Sequence, residues 1–352
     1  MFAGAFELLR NSIAARAFPA ASIAVTYRGQ LVALQAFGRF TYDPDSPQAK
    51  ADTVFDVASV SKVVATTAMA MVLYERGLLD LDVPAVGVVP EFARQDPRCR
   101  EVSFRMLLAH SSGLPAYQKL FLQAQTREEL LAAAFSIPLE ADPGTKAVYS
   151  DIGFIILGVA LERIADESLD RFCQREVFGP LGMAHTLFNP PATLRSEIPP
   201  TADDRSFRKR VIQREVQDEN ASVLGGVAGH AGVFSNAQDL AGFANAMLQG
   251  GQRVVRPETV SIFTQREASP PGTSRALGWD TPSSPSQSGK FFSAKSYGHL
   301  GYTGTSLWID PERQLSITLL TNRTWPDCAN HAIQQVRPQF HDAIVEALEA
   351  NR

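Results

Sequence analysis

The sequence predicts an α+β fold: an antiparallel sheet flanked by N- and C-terminal helices, with an all-helical lobe inserted between its strands. Three observations predict it. Strand-like runs gather at the two ends of the chain, from Ala21 to Phe37 and from Thr305 to Leu320, and each reads as a hairpin. Helical segments stand outside both hairpins, at Met1 to Arg10 and from Asn330 to Ala350. From Asp56 to about residue 200 the pattern is mostly helical.

Taken in order, the first helix is amphipathic. It leads into the runs Ala21 to Tyr27 and Leu31 to Phe37, joined through Arg28-Gly29-Gln30. A long helix is predicted from Ser59, because residues 63–74 are apolar on nearly every side, the pattern of a helix buried all round. Further helices are predicted near Phe104 to Ala109, over Arg127 to Phe135, and from Ser150 to about Ala165. The Pro/Ser/Gly-rich stretch from Ala268 to Lys290 reads as a surface loop or flap. Thr305 to Asp310 and Leu315 to Leu320 then flank Pro311 to Gln314 as the second hairpin. No internal repeat is visible. The expected organisation is one unit over residues 1–352, with an α/β lobe at 1–55 and about 220–352 and a helical lobe at about 56–219.

With 352 residues, 45% hydrophobic and 20% charged, the composition is that of a globular protein large enough to bury a deep site. A net charge of −4 argues against a nucleic-acid partner. The one basic cluster, Arg205 to Arg210, is followed by Glu215, Asp218 and Glu219 and reads as a solvated loop. Cys99, Cys173 and Cys328 are odd in number and widely spaced, which indicates neither a disulfide framework nor a zinc site. The N-terminus lacks a secretory pattern and no apolar run is long enough to span a bilayer, so a cytoplasmic location, with no membrane partner, is the expectation. No metal or other cofactor is expected, and the partner is a small-molecule substrate. Oligomeric state is not encoded in any pattern here.

The residues richest in chemistry are Ser59 and Lys62. Side chains three apart on a helix are neighbours, so the Lys62 amine can reach the Ser59 hydroxyl. A serine becomes a nucleophile when a base takes its proton, and a lysine can do so once desolvation lowers its pKa. Tyr149 precedes a predicted helix start; beside lysines its pKa would drop from about 10, making it a candidate general base. The run Tyr297 to Thr305 opens the last hairpin, and its glycines let a substrate approach the backbone.

Together these segments resemble the serine β-lactamase and penicillin-binding protein superfamily, whose S-x-x-K, Y-x-N and K-T-G elements occur in this order. The similarity is greatest to class C β-lactamases, family VIII esterases and D-amino-acid peptidases. It extends over almost the whole chain, through Leu107 to Pro115, Pro180 to Met183, Gly225 to Ser235 and Leu320 to Arg323. The resemblance implies an acylated nucleophile at Ser59, its proton partner at Lys62 and a general base at Tyr149. It implies an oxyanion hole from the backbone N–H groups of Ser59 and Tyr302, the latter following His299-Leu300-Gly301. His230, in the glycine-rich run, either lines the cleft or caps a loop. His110 reads as a helix-end residue, and His185, His331 and His341 as surface residues.

Two departures modify that picture. Asp151 stands where the family has an asparagine, and its pairing with Lys62 would raise the lysine pKa and shift base catalysis to Tyr149. His299 replaces the family lysine, and Leu300 removes a hydroxyl, both of which would help hold a substrate carboxylate. The expected activity is therefore that of a serine hydrolase cleaving a carboxylic ester, small amide or D-amino-acid peptide. The alternatives are a β-lactam hydrolase or a slow-deacylating penicillin-binding or sensing protein. With His299 titrating near 6.5, turnover of an anionic substrate should fall relative to a neutral ester as pH rises through about 6 to 7.5.

Overall fold

The computed structural model describes residues 1–350. Helix α1 (Ala3–Ala14) precedes strands β1 (Ala20–Tyr27) and β2 (Gln30–Gly38), which pair antiparallel. Arg28 and Gly29 turn the hairpin with φ of 49° and 76°, the left-handed pair that a tight right-twisted hairpin needs. After the two-residue β3 (Phe55–Asp56) comes a 3₁₀ turn at Ala58–Val60, a π-helical stretch at Lys62–Thr67 and helix α2 (Ala68–Glu75). The helix predicted from Ser59 is thus present, but its first turns are wound tightly and then loosely.

The inserted region continues with α3 (Phe104–Leu108), α4 (Arg127–Phe135), α5 (Asp151–Ala165), α6 (Leu169–Cys173) and the single turn α7 (Gly179–Leu181). Helix α5 starts where its cap predicts, since the Ser150 hydroxyl accepts the Gly153 N–H at 3.0 Å. Short strands also occur here: β4 (Leu187–Phe188), then the β5 (Ala202–Asp204) and β6 (Arg210–Ile212) ladder. Next come α8 (Glu219–Val223), β7 (Val233–Ser235), α9 (Ala237–Leu248) and α10 (Pro257–Thr264). The chain returns through β8 (Tyr297–Leu300), β9 (Ser306–Asp310) and β10 (Leu315–Thr321) and closes with α11 (Ile333–Glu349).

The main sheet has five strands in the order β2-β1-β10-β9-β8, so the first and last segments of the chain share it. Strand β1 lies beside β10 with Ala21 opposite Thr321 and Tyr27 opposite Leu315. Alternation along the strands sends side chains to opposite faces. On one face Ile23, Val25, Trp308 and Ile317 meet Leu9 of α1 and Phe340, Ile344 and Leu348 of α11. On the other, Ala20, Ala24, Leu307 and Ile309 join the core built around α2, α5 and α9. A smaller sheet in the order β3-β7-β4 ties the Ser59 turn to the rest of the inserted region.

Three sequence expectations are corrected. The stretch from Ala268 to Lys290 is not wholly surface, because Ala276, Leu277 and Trp279 are fully buried and the Gly278 N–H donates to the Leu108 carbonyl. His341 is buried too, between the Ser306 hydroxyl and the Ser288 carbonyl. In the basic cluster, Arg208 is no solvated residue; its side chain is 5% exposed and pairs with Asp204 at 3.0 Å.

Helix α5 and the loop before β7 meet at a pair of glycines. A Cβ on Gly158 would lie 2.8 Å from the Gly229 Cα, and one on Gly229 would collide with the Phe154 carbonyl. This contact places the Gly229 carbonyl against the Thr66 hydroxyl at 2.6 Å and the His230 carbonyl against Lys62 at 2.9 Å. Because the opposing atoms are backbone, Gly229→Ala should destabilise the protein by about 1–3 kcal/mol. Urea denaturation checks this, and an unchanged midpoint contradicts it.

Candidate active site

Ser59 sits in the 3₁₀ turn behind β3, where Ala58 is held at φ 47° by its N–H bond of 2.8 Å to the Asp56 carboxylate. Such strain in a residue with a side chain persists only where neighbours enforce it. The π-helical stretch that follows brings Lys62 beneath the serine, and π-helical widening is a recurrent feature of functional sites. Lys62 has no solvent exposure. Its Nζ lies 2.9 Å from the Ser59 hydroxyl, 2.6 Å from the Asp151 carboxylate and 2.9 Å from the His230 carbonyl.

The ion pair with Asp151 is thus formed as the sequence suggested, but its consequence is reversed. Burial penalises the charged amine more than Asp151 favours it, so the Lys62 pKa is lowered rather than raised. A neutral amine has two N–H bonds to give. In that neutral form, donating them to Asp151 and the His230 carbonyl would leave the lone pair facing Ser59.

Tyr149 stands on the other side of Ser59, its hydroxyl in contact with both Ser59 and Asp151. Its expected drop in pKa is contradicted. Burial, then the Asp151 charge, push the phenol well above 10, so it is held protonated. Its ring packs at a tilt against His110, 4.7 Å between centroids, and His110 is itself buried with its Nδ1 accepting the Ser150 N–H at 3.0 Å. The His110 pKa is pushed well below 6.5 by burial and the nearby Arg275 and Lys62 charges. His110 is therefore a neutral prop beneath Tyr149, and not merely a helix-end residue. The 40-residue separation from Ser150 hid this partner from the sequence.

Asp218 lines the cleft, whereas His230 does not. The His230 ring is buried and its Nε2 lies 2.7 Å from Asp218, while its backbone carbonyl anchors Lys62. Burial acts to raise the Asp218 carboxyl, but the His230 ring and Lys62 outweigh it and hold its pKa below the usual value. Arg208 fastens the segment just before, donating to the Val216 and Gln217 carbonyls at 2.7 Å each.

The end of β8 forms the opposite wall. His299 is buried, with its Nδ1 2.8 Å from the Leu300 carbonyl and its Nε2 unpartnered among the described residues. Burial, with Lys62 and Arg275 nearby, pushes its pKa down to about 3. The anticipated titration near 6.5 is overturned. Gly301 permits the approach to the serine turn, since a Cβ there would lie 2.5 Å from the Val57 carbonyl. The next residue, Tyr302, has a backbone N–H with no hydrogen-bond partner among the described residues. Its half-exposed ring packs under the Arg323 guanidinium at 4.3 Å.

Ser59, Tyr149, Asp151, His299, Gly301 and Tyr302 all line one cavity of about 690 Å³, within the range of small-molecule sites. Sequence reasoning missed Arg275, which also lines it, 5.5 Å over the Tyr149 ring and paired with Asp280 at 3.6 Å. No motif marks that arginine, because it reaches the cleft from the loop preceding β8.

An antiparallel sheet capped by terminal helices, an inserted helical region and a serine-lysine-tyrosine cleft at their junction define a serine hydrolase of the β-lactamase and penicillin-binding protein fold. The chain belongs to the beta-lactamase family, whose model matches residues 6–337. A Bacillus subtilis protein named N-acetylmuramyl-L-alanine amidase is 33% identical, covering 90% of this chain and 80% of its own length. A Salmonella agona protein named as a D-alanyl-D-alanine carboxypeptidase is 32% identical, covering 80% and 72%. Among solved structures, a penicillin-binding protein homologue from Pyrococcus abyssi has a TM-score of 0.78 at 20% identity, over 99% of this chain and 77% of that one. The hydrolase EstCE1 has a TM-score of 0.80 at 21% identity, over 97% of each chain. Both share the fold. Among the described residues no helix is long and apolar enough to cross a membrane.

With its pKa pushed down to about 3, His299 does not titrate between pH 6 and 7.5 and so cannot separate anionic from neutral substrates there. Profiles of kcat/KM for a matched neutral and anionic ester should run parallel between pH 6 and 7.5. A selective fall for the anionic ester over that window contradicts a buried, neutral His299.

Proposed function

We propose that the protein hydrolyses small carboxylic esters and amides, D-amino-acid peptides among them, through an acyl-enzyme on Ser59. The observation that carries this reading is the 2.9 Å contact between Ser59 and a lysine amine that burial favours in its neutral form. The names of the relatives, an amidase and a carboxypeptidase, support amide chemistry at the same fold.

Lys62 takes the Ser59 proton as the oxygen attacks the carbonyl carbon. The resulting oxyanion accepts hydrogen bonds from the backbone N–H groups of Ser59 and Tyr302, donors fixed before the charge develops. Collapse of the intermediate expels the leaving group, which takes the Tyr149 proton while Lys62 returns its own to the phenol. Tyr149 is thus the proton donor of acylation and not, as its sequence context implied, a phenolate base. Water then enters along the vacated path, surrenders a proton to the same relay and releases the acid with Ser59 restored.

Short p-nitrophenyl esters, D-alanyl amides and a chromogenic cephalosporin test this directly. Ser59→Ala should abolish turnover and the acyl adduct in the intact mass, and equal hydrolysis by wild type and Ser59→Ala overturns the reading. Tyr149→Phe should lower kcat/KM on the amide by on the order of 100-fold or more, and far less on the p-nitrophenyl ester, whose leaving group departs without a proton. Equal losses on both substrates contradict the donor role.

A further inference from the structure

Asp56, the last residue of β3, is buried beside the Ser59 turn, and its two carboxylate oxygens have separate tasks. One accepts the Ala58 N–H at 2.8 Å, and the other accepts the Gln217 N–H at 2.6 Å. No other donor reaches them among the described residues. The first bond holds Ala58 at φ 47°, and that left-handed turn sets the direction of the next N–H, the one on Ser59. The backbone carbonyl of Asp56 meanwhile accepts the Thr303 hydroxyl at 2.8 Å, and Thr303 follows directly on Tyr302. Both N–H groups assigned to the oxyanion are therefore one residue away from a group bound to Asp56.

A carboxylate suits two converging N–H donors, because charge-assisted hydrogen bonds are stronger than neutral ones. A carboxylic acid does not, since it carries a proton of its own on one of the two oxygens. Two charged side chains face Asp56: Asp218, on the segment that Gln217 begins, and Arg208, which holds the Val216 and Gln217 carbonyls. Through β7, with Phe234, and through the turn after β8, with Thr303, only uncharged side chains meet it. Burial outweighs the two N–H bonds and pushes the Asp56 pKa up to about 6.

We propose that Asp56 is a positioning residue for the chemistry at Ser59: as a carboxylate it holds the Ser59 turn and the Gln217 segment in working register, and once protonated it releases one of them. The proposal rests on the reading of Ser59 as nucleophile, with the Ser59 and Tyr302 N–H groups as its oxyanion donors. Proton uptake by this one acid disassembles the site while the fold survives. Ionising a carboxyl whose pKa is raised costs stability as pH rises from about 4 to 6, so a recovery of activity over that window is opposite in sign to the group's effect on folding.

Proton loss from Lys62 alone gives log kcat/KM for a neutral p-nitrophenyl ester a slope of one against pH. With Asp56 added, the slope should steepen towards two below about pH 6 in wild type. Asp56→Asn keeps one acceptor and sets a donor against the other N–H. It should be slower by about 10-fold or more at pH 7.5 and hold a slope of one down to pH 5. A wild-type slope of one down to pH 5, or a break that persists in Asp56→Asn, overturns the proposal. Hydrogen exchange on Ser59→Ala, read by mass spectrometry, covers the case in which Asp56→Asn fails to fold. After correction for intrinsic rates, residues 57–62 and 216–220 should lose protection by about 10-fold between pH 7.5 and 5, while α9 stays protected. Equal protection at both pH values also overturns it. Exchange is read without turnover, and ester hydrolysis by wild type but not Ser59→Ala reports on the nucleophile, so the two readings fail independently.

Discussion

A lysine amine buried away from bulk solvent is the constraint on which the rest of the site depends. Lys62 can be buried only because three acceptors surround it, and each comes from a different part of the chain: Ser59 from its own turn, Asp151 from the start of α5, and the His230 carbonyl from the loop before β7. Burial lowers its pKa, while Asp151 limits that loss and keeps the amine oriented. A buried lysine with no partner would be expelled or would disrupt the core. One with a perfectly compensating partner would remain an ammonium and could not take a proton. The arrangement lies between these limits, and on the proposed reading that balance gives Ser59 its base.

Close backbone approach makes the enclosure possible. Glycines at 158 and 229 let α5 press against the loop that supplies the His230 carbonyl, and Gly301 lets the end of β8 press against the Ser59 turn. The strained Ala58 is locked from below by Asp56, whose carboxylate also accepts the Gln217 N–H at 2.6 Å. That second bond joins the Ser59 turn to the segment carrying Asp218. Burial raises the Asp56 pKa to about 6, so this link is itself built on a desolvated carboxyl. Both walls of the cleft are therefore fastened to the same short turn. Its geometry is set by the fold before any substrate arrives, as electrostatic preorganisation requires.

The hairpins and α5 were legible because their signals are local: Gly29 at a turn, alternation along β1, a serine cap at position 150. The serine, lysine and tyrosine were legible through motif order, and their meeting in one cavity follows from the sheet joining both ends of the chain. Charge states were not legible. Whether Tyr149, Lys62 and His299 gain or lose protons depends on burial by elements far away in sequence, and that burial opposed each expectation drawn from ordinary pKa values. His341 was misplaced for a related reason, since nothing in its helix marks the Ser306 and Ser288 partners that cover it. Arg275, Arg323 and Arg337 line the cleft from segments with no shared motif, and only the tertiary structure assembles them.

The central claim is that the buried Lys62 amine, and not the Tyr149 phenol, draws the proton from Ser59. Its most direct measurement is the pH dependence of Ser59 phosphonylation by a neutral fluorophosphonate, followed by intact mass, in wild type and Lys62→Met. The account predicts a rate that rises with pH to a midpoint below the ordinary lysine value of about 10.4 in wild type, with labelling nearly lost in Lys62→Met. A wild-type midpoint at or above that value, or equal labelling of Lys62→Met, contradicts it.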